Sequence, residues 1–68
     1  MKKIFKIEII ENYLKANQMT EKEFCRLCNI PLSTLQKLFA HNFDFDLVDI
    51  FKVSRVLNLH IKDLFIKN

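Results

Sequence analysis

The residues best suited to chemistry in this 68-residue chain are Cys25 and Cys28, in a CxxC spacing, and the two histidines, His41 and His60. A redox CxxC sits at a helix N-terminus, where the positive end of the macrodipole stabilises a thiolate. Here Thr20 opens the helix, so the pair falls in its second half and lacks that help. A structural zinc needs four ligands. Only His41 and His60 would be left to complete the set, and neither shows ligand spacing. The cysteines therefore read as two small apolar residues facing a core. The histidines read as isolated, exposed side chains. No nucleophile–base pair is apparent, and a phosphate-cradling glycine loop is excluded because Gly is absent. No catalytic residue, metal or cofactor is expected, and the chain reads as a non-enzyme.

What remains is a polar helix face, and the stretch from Thr20 to Phe39 is organised to present it. Thr20 with Glu23 forms a capping box, in which hydroxyl and carboxylate satisfy each other's backbone N–H groups. Phe24, Leu27 and Cys28 recur at helical spacing and form the apolar side of a helix over about 20–28. Asn29 suits the left-handed backbone that ends a helix. Ile30 plugs the corner, and Pro31 suits the first position of a second helix, over about 31–39. Leu35 and Leu38 form the buried side of that helix, leaving Leu32, Ser33, Gln36 and Lys37 together on the other. This is a helix-turn-helix pattern.

On these residues the chain resembles the lambda-repressor/Cro-type helix-turn-helix proteins of the Xre class. The resemblance lies in the apolar Phe24, small Cys25, turn residue Asn29, aliphatic Ile30, hydroxyl Thr34 and aliphatic Leu35 and Leu38. It continues through Leu47, Ile50, Leu57, Asn58, Leu59, Asp63, Leu64 and Phe65, and covers about residues 7–66. It implies an all-α fold of five short helices, and a sequence-specific DNA-binding transcriptional regulator. A repressor acting as a homodimer on a two-fold-related operator is the expected form. Carried over by position, Leu32, Ser33, Gln36 and Lys37 would face bases in the major groove. There Lys37 suits guanine, Gln36 adenine and Leu32 a thymine methyl. Lys22, Arg26, Thr34, His41 and Asn42 would meet phosphates. Three features depart from the pattern. Glu21 stands where relatives often place a phosphate-binding Gln, and the loop AHNFDFD carries Asp44 and Asp46 and no Lys or Arg. Phe39 replaces a frequent acidic residue. The alternative partner is another protein regulator, docked on Leu32, Phe39, Phe43 and Phe45.

The remaining elements support that unit. Ile7, Ile10 and Leu14 define a first helix over about 5–16, with residues 1–6 an arm or an extension of it, and Met19 staples the second. After a loop over 40–45, Asp46 with Asp49 resembles another cap, with Asp44 as a competing start. Leu47, Ile50, Ser54 and Leu57 form the inner face of a fourth helix that Asn58 ends. A final short helix spans 60–66, with Ile61, Leu64 and Phe65 apolar. Val48, Phe51, Leu59 and Ile66 are left over and suit a dimer surface; the competing surface is the N-terminal arm with Ile4 and Phe5.

Length and composition agree with this. The chain is of single-domain size, half its residues are apolar, and seven are Phe, so a small core needs no staples. A formal net charge of +3 and a pI near 9.0 permit a polyanionic partner without demanding one. The opening MKKIFKIEII mimics the start of a signal peptide, but Lys6 and Glu8 interrupt it and no small-residue cleavage site follows. No run approaches the roughly 20 apolar residues of a membrane span. A cytoplasmic protein is expected.

Overall fold

The computed structural model describes the backbone of residues 3–42 and 44–67 and the side chains of 5–42 and 44–65. These residues form a small, mostly helical fold with four α-helices: α1 (Ile7–Ala16), α2 (Glu21–Cys28), α3 (Leu32–Phe39) and α4 (Leu47–Leu57). The ends of the chain close on each other as two antiparallel strands, β1 (Lys3–Phe5) and β2 (Phe65–Lys67). Phe5 pairs with Phe65, Ile4 with Ile66 and Lys3 with Lys67. The Lys6 N–H continues the pairing to the Leu64 carbonyl at 2.8 Å. No helix among the described residues is long and apolar enough to cross a membrane.

This pairing corrects the expectation at both termini. Helix α1 starts at Ile7, not at Phe5, because Phe5 is in the strand and fully buried, its ring edge-on to Phe65 at 5.3 Å. The arm that would have competed as a dimer surface thus spends Phe5 on its own core. The side chains of Ile4 and Ile66 lie outside the described residues. The expected fifth helix is one 3-10 turn, Ile61–Leu64, before β2. Four residues cannot nucleate an α-helix unaided, and strand pairing satisfies the backbone beyond them. The same turn buries Leu64 against the core.

All four α-helices end in one way. Gln18, Asn29, His41 and Asn58 have φ of 49°, 60°, 57° and 57°. At each, that residue's N–H bonds the carbonyl three residues back, and the next N–H bonds the carbonyl five back. The pairs are Gln18–Lys15 with Met19–Leu14, Asn29–Arg26 with Ile30–Cys25, His41–Leu38 with Asn42–Lys37, and Asn58–Arg55 with Leu59–Ser54. These are Schellman motifs, which satisfy carbonyls the helix leaves open. Glycine is the usual residue at this point. This chain has none, and fills the four places with Asn, Gln and His.

The core gathers Phe5, Ile10, Phe24, Cys25, Cys28, Ile30, Leu35, Leu38, Ile50, Val53 and Leu64. The Tyr13 ring packs edge-on to Phe24 at 5.6 Å, which joins α1 to α2. Two inner faces are rotated from those expected. On α2 the buried stripe is Phe24, Cys25 and Cys28, and Leu27 is exposed. Spacings of i+1 and i+3 are equally helical, and α2 packs against both α3 and α4 with Cys25 covered and Leu27 left out. On α4 the stripe is Ile50, Val53 and Ser54, with Leu57 half-buried; Leu47 stands exposed at the helix start, beyond the edge of the core.

Candidate nucleic-acid interface

The capping box expected at the start of α2 is present. Thr20 Oγ1 accepts from the Glu23 N–H at 3.1 Å, and the Glu23 carboxylate accepts from the Thr20 N–H at 2.8 Å. Those bonds hold the Glu23 carboxyl below its ordinary pKa, the Thr20 backbone bond contributing most. Asn29 takes the left-handed turn and Ile30 is buried beneath it. Pro31 caps α3 from outside, with φ −69° and ψ 147°, instead of occupying its first helical position. Helix α4 then pins the unit at two points. Thr34 Oγ1 donates to Asp49 Oδ2 at 3.0 Å, and Lys52 Nζ donates to the Asn29 carbonyl at 3.3 Å.

Of the four expected base-reading residues, Ser33 and Gln36 are exposed, one turn apart on α3. Leu32 is half-buried and packs against the core. Lys37 is also half-buried, and its ammonium is held by the Asp44 carbonyl at 2.8 Å. Lys37 must leave that carbonyl before it can reach a base edge. Among the expected phosphate-binding residues, Lys22 and Arg26 are exposed and four residues apart on α2, while His41 and Asn42 are exposed just past α3. Asn42 is also part of the loop's own framework, its side-chain oxygen accepting from the Asp44 N–H at 3.0 Å.

Thr34 corrects the expectation. It is buried beside Leu35 and its hydroxyl is committed to Asp49, so it faces α4 and no phosphate. Asp49 is the residue the sequence reading misplaced. Asp46 caps α4 alone, its carboxylate accepting from the Val48 N–H at 3.2 Å, and this frees the Asp49 carboxylate for Thr34. Thr and Asp fifteen residues apart carry no periodic signal, so only the fold could pair them. The role of Lys52 is likewise invisible in sequence.

Cys25 and Cys28 are both buried and unbonded to each other. Burial raises both thiols, with Glu21 adding to the effect at Cys25, and Cys28 is pushed up to about 12. Such thiols remain protonated at neutral pH, the opposite of a nucleophilic or metal-binding pair. Among the described residues no three His, Cys, Asp or Glu side chains gather as a metal-holding group.

Leu32, Phe39 and Phe45, offered as a protein-docking surface, all pack at least in part against the core. Phe43 lies outside the described residues. Comparison with protein-family models, with curated proteins and with solved structures finds no match to this chain.

Proposed function

We propose that this chain is a sequence-specific DNA-binding regulator of the lambda-repressor/Cro type, acting as a homodimeric repressor in the cytoplasm on a two-fold-related operator. One observation carries the reading. A short helix is pinned from behind by a three-residue corner and by the Thr34–Asp49 and Lys52–Asn29 bonds, yet leaves Ser33 and Gln36 uncovered on its outer side. Those two side chains supply the donors and acceptors that major-groove readout uses, and Gln is suited to adenine N6 and N7. Lys22 and Arg26 supply phosphate charge from α2. The exposed carboxylates of Glu21, Asp44 and Asp46 subtract from that charge, which makes binding per monomer modest and a two-site complex the effective form.

The experiment is a mobility-shift series with genomic fragments from around the gene, followed by two variants. Gln36→Ala loses roughly 1–3 kcal/mol at the preferred fragment and discriminates less at one base position. Lys22→Ala weakens every sequence alike and lowers the salt slope by about one. If no fragment binds more tightly than random DNA at low salt, the reading fails. The protein-docking alternative then stands, with Leu32→Ala and Phe39→Ala abolishing capture of a regulator.

A further inference from the structure

Lys37 holds the chain that follows α3 through its backbone and through its side chain. Its carbonyl accepts from the Ala40 N–H at 3.1 Å and from the Asn42 N–H at 2.8 Å, and its ammonium reaches forward to the Asp44 carbonyl at 2.8 Å. Asp44 is held from the other side as well, its N–H donating to Asn42 Oδ1 at 3.0 Å. Both backbone groups of one exposed residue are thus engaged by side chains, where water could serve either. The next two residues are anchored in turn: Phe45 packs against the core, and Asp46 caps α4. We propose that Lys37, Asn42 and Asp44 form a clasp that occupies the Lys37 ammonium in the free protein and so restrains the face of α3 that meets DNA. The proposal rests on the regulator reading above, and adds to it an autoinhibitory contact that the nucleic acid itself must open.

The contact is built to hold without locking. Lys37 and Asp44 are seven residues apart, so closing the ring between them forfeits little chain entropy. The Lys37 side chain is half-buried, and part of its rotamer freedom is already lost before the ammonium finds its partner. Both clasp bonds lie in the open, where one hydrogen bond is worth a net factor of about two to ten. A DNA phosphate offers Lys37 a negative charge in place of a neutral carbonyl oxygen, and hydrogen bonds between two ionised groups are the stronger kind. DNA therefore displaces the carbonyl. Its apparent affinity is still lowered by the fraction of chains in which the clasp is closed. The closed clasp also keeps Asp44, with its exposed carboxylate, on the chain beside Lys37, where it opposes a phosphate backbone.

Acetylation of the full chain by an N-hydroxysuccinimide ester, followed lysine by lysine in a mass spectrometer, tests the clasp without DNA. A bonded ammonium must be released before its amine can react, and Lys22, exposed on α2, is the internal standard. Asn42→Ala removes the acceptor of the Asp44 N–H without changing charge. It should speed Lys37 acetylation about two- to tenfold and leave Lys22 unchanged. Asn42→Asp keeps an acceptor oxygen and should not speed Lys37. On random-sequence DNA at low salt, Asn42→Ala should bind about two- to tenfold more tightly than the wild type. Circular dichroism checks folding. If Asn42→Ala is not folded, Lys37→Met is read instead, through exchange of the Asp44 amide proton, which should quicken by a similar factor. An unchanged Lys37 rate in folded Asn42→Ala, or an unchanged Asp44 exchange rate in Lys37→Met, overturns the clasp. Weaker DNA binding by Asn42→Ala overturns it too, because Asn42 would then be a direct phosphate contact. Absence of DNA binding in both chains, with Lys37 acetylation accelerated as expected, removes the regulator reading and leaves the clasp standing.

Discussion

Replacing Gln18 with glycine should make this protein more stable, although it deletes a side chain and adds backbone freedom. Gln18 ends α1 with φ of 49°, and its side chain is exposed. A left-handed conformation costs an L-residue roughly 1–2 kcal/mol, because Cβ crowds the following carbonyl oxygen. Glycine removes that cost but forfeits about 0.5–1 kcal/mol through the greater entropy of its unfolded chain. The difference is a net stabilisation of about 0.5–1 kcal/mol. For a domain of this size, that corresponds to a rise in Tm of about 2–8 °C. The matching control is Ala16→Gly, two residues earlier at the last position of α1, where φ is helical and the same substitution should cost about 0.5–1 kcal/mol. Urea titration and thermal melting followed by circular dichroism read both variants. Asn29 and Asn58 should benefit less than Gln18, because Asn tolerates this conformation better than Gln. If Gln18→Gly destabilises the chain as Ala16→Gly does, the shared helix-ending geometry described above is wrong at its first instance.

Further outcomes follow from the site and the core. Thr34→Val removes the only described donor to the Asp49 carboxylate and should cost roughly 1.5–3 kcal/mol in urea titration, while Ser33→Ala next to it should cost under about 0.5 kcal/mol. Cys25→Ala and Cys28→Ala should each cost on the order of 1 kcal/mol and leave any DNA binding unchanged; stoichiometric zinc in protein purified without a metal-binding tag would refute the packing role. Because burial raises the folded Cys28 pKa from 9.0 to about 12, the stability it contributes is fully present below pH 9 and should be lost as pH climbs towards 12. Alkylation kinetics should show both thiols protected until the chain unfolds. On the proposed DNA-binding function, Lys37→Ala should lower affinity for a preferred fragment by less than Gln36→Ala does, since the Lys37 ammonium is held by the Asp44 carbonyl.

Local signals were legible wherever a residue acts on its own neighbours. The Thr20–Glu23 box, the Asn29 and Asn58 helix ends and the buried Ile30 follow from short-range hydrogen bonding and backbone sterics, which a window of six residues contains. The four α-helices follow from apolar periodicity for the same reason. Rotation about each helix axis was another matter. Leu27 and Leu47 satisfy the period as well as Cys25 and Val53 do, and only the placement of α3 and α4 around α2 decides which are covered. Strand pairing between residues 3–5 and 65–67 is a contact between the two ends of the chain, and nothing within three residues of either strand announces the other. The pairing of Thr34 with Asp49, which turns an expected phosphate ligand into a brace behind α3, is likewise long-range. The helix that presents Ser33 and Gln36 was therefore written in the sequence. Which of its side chains are left free was decided by what packs behind it, because burial is a property of the assembled elements and not of any one of them.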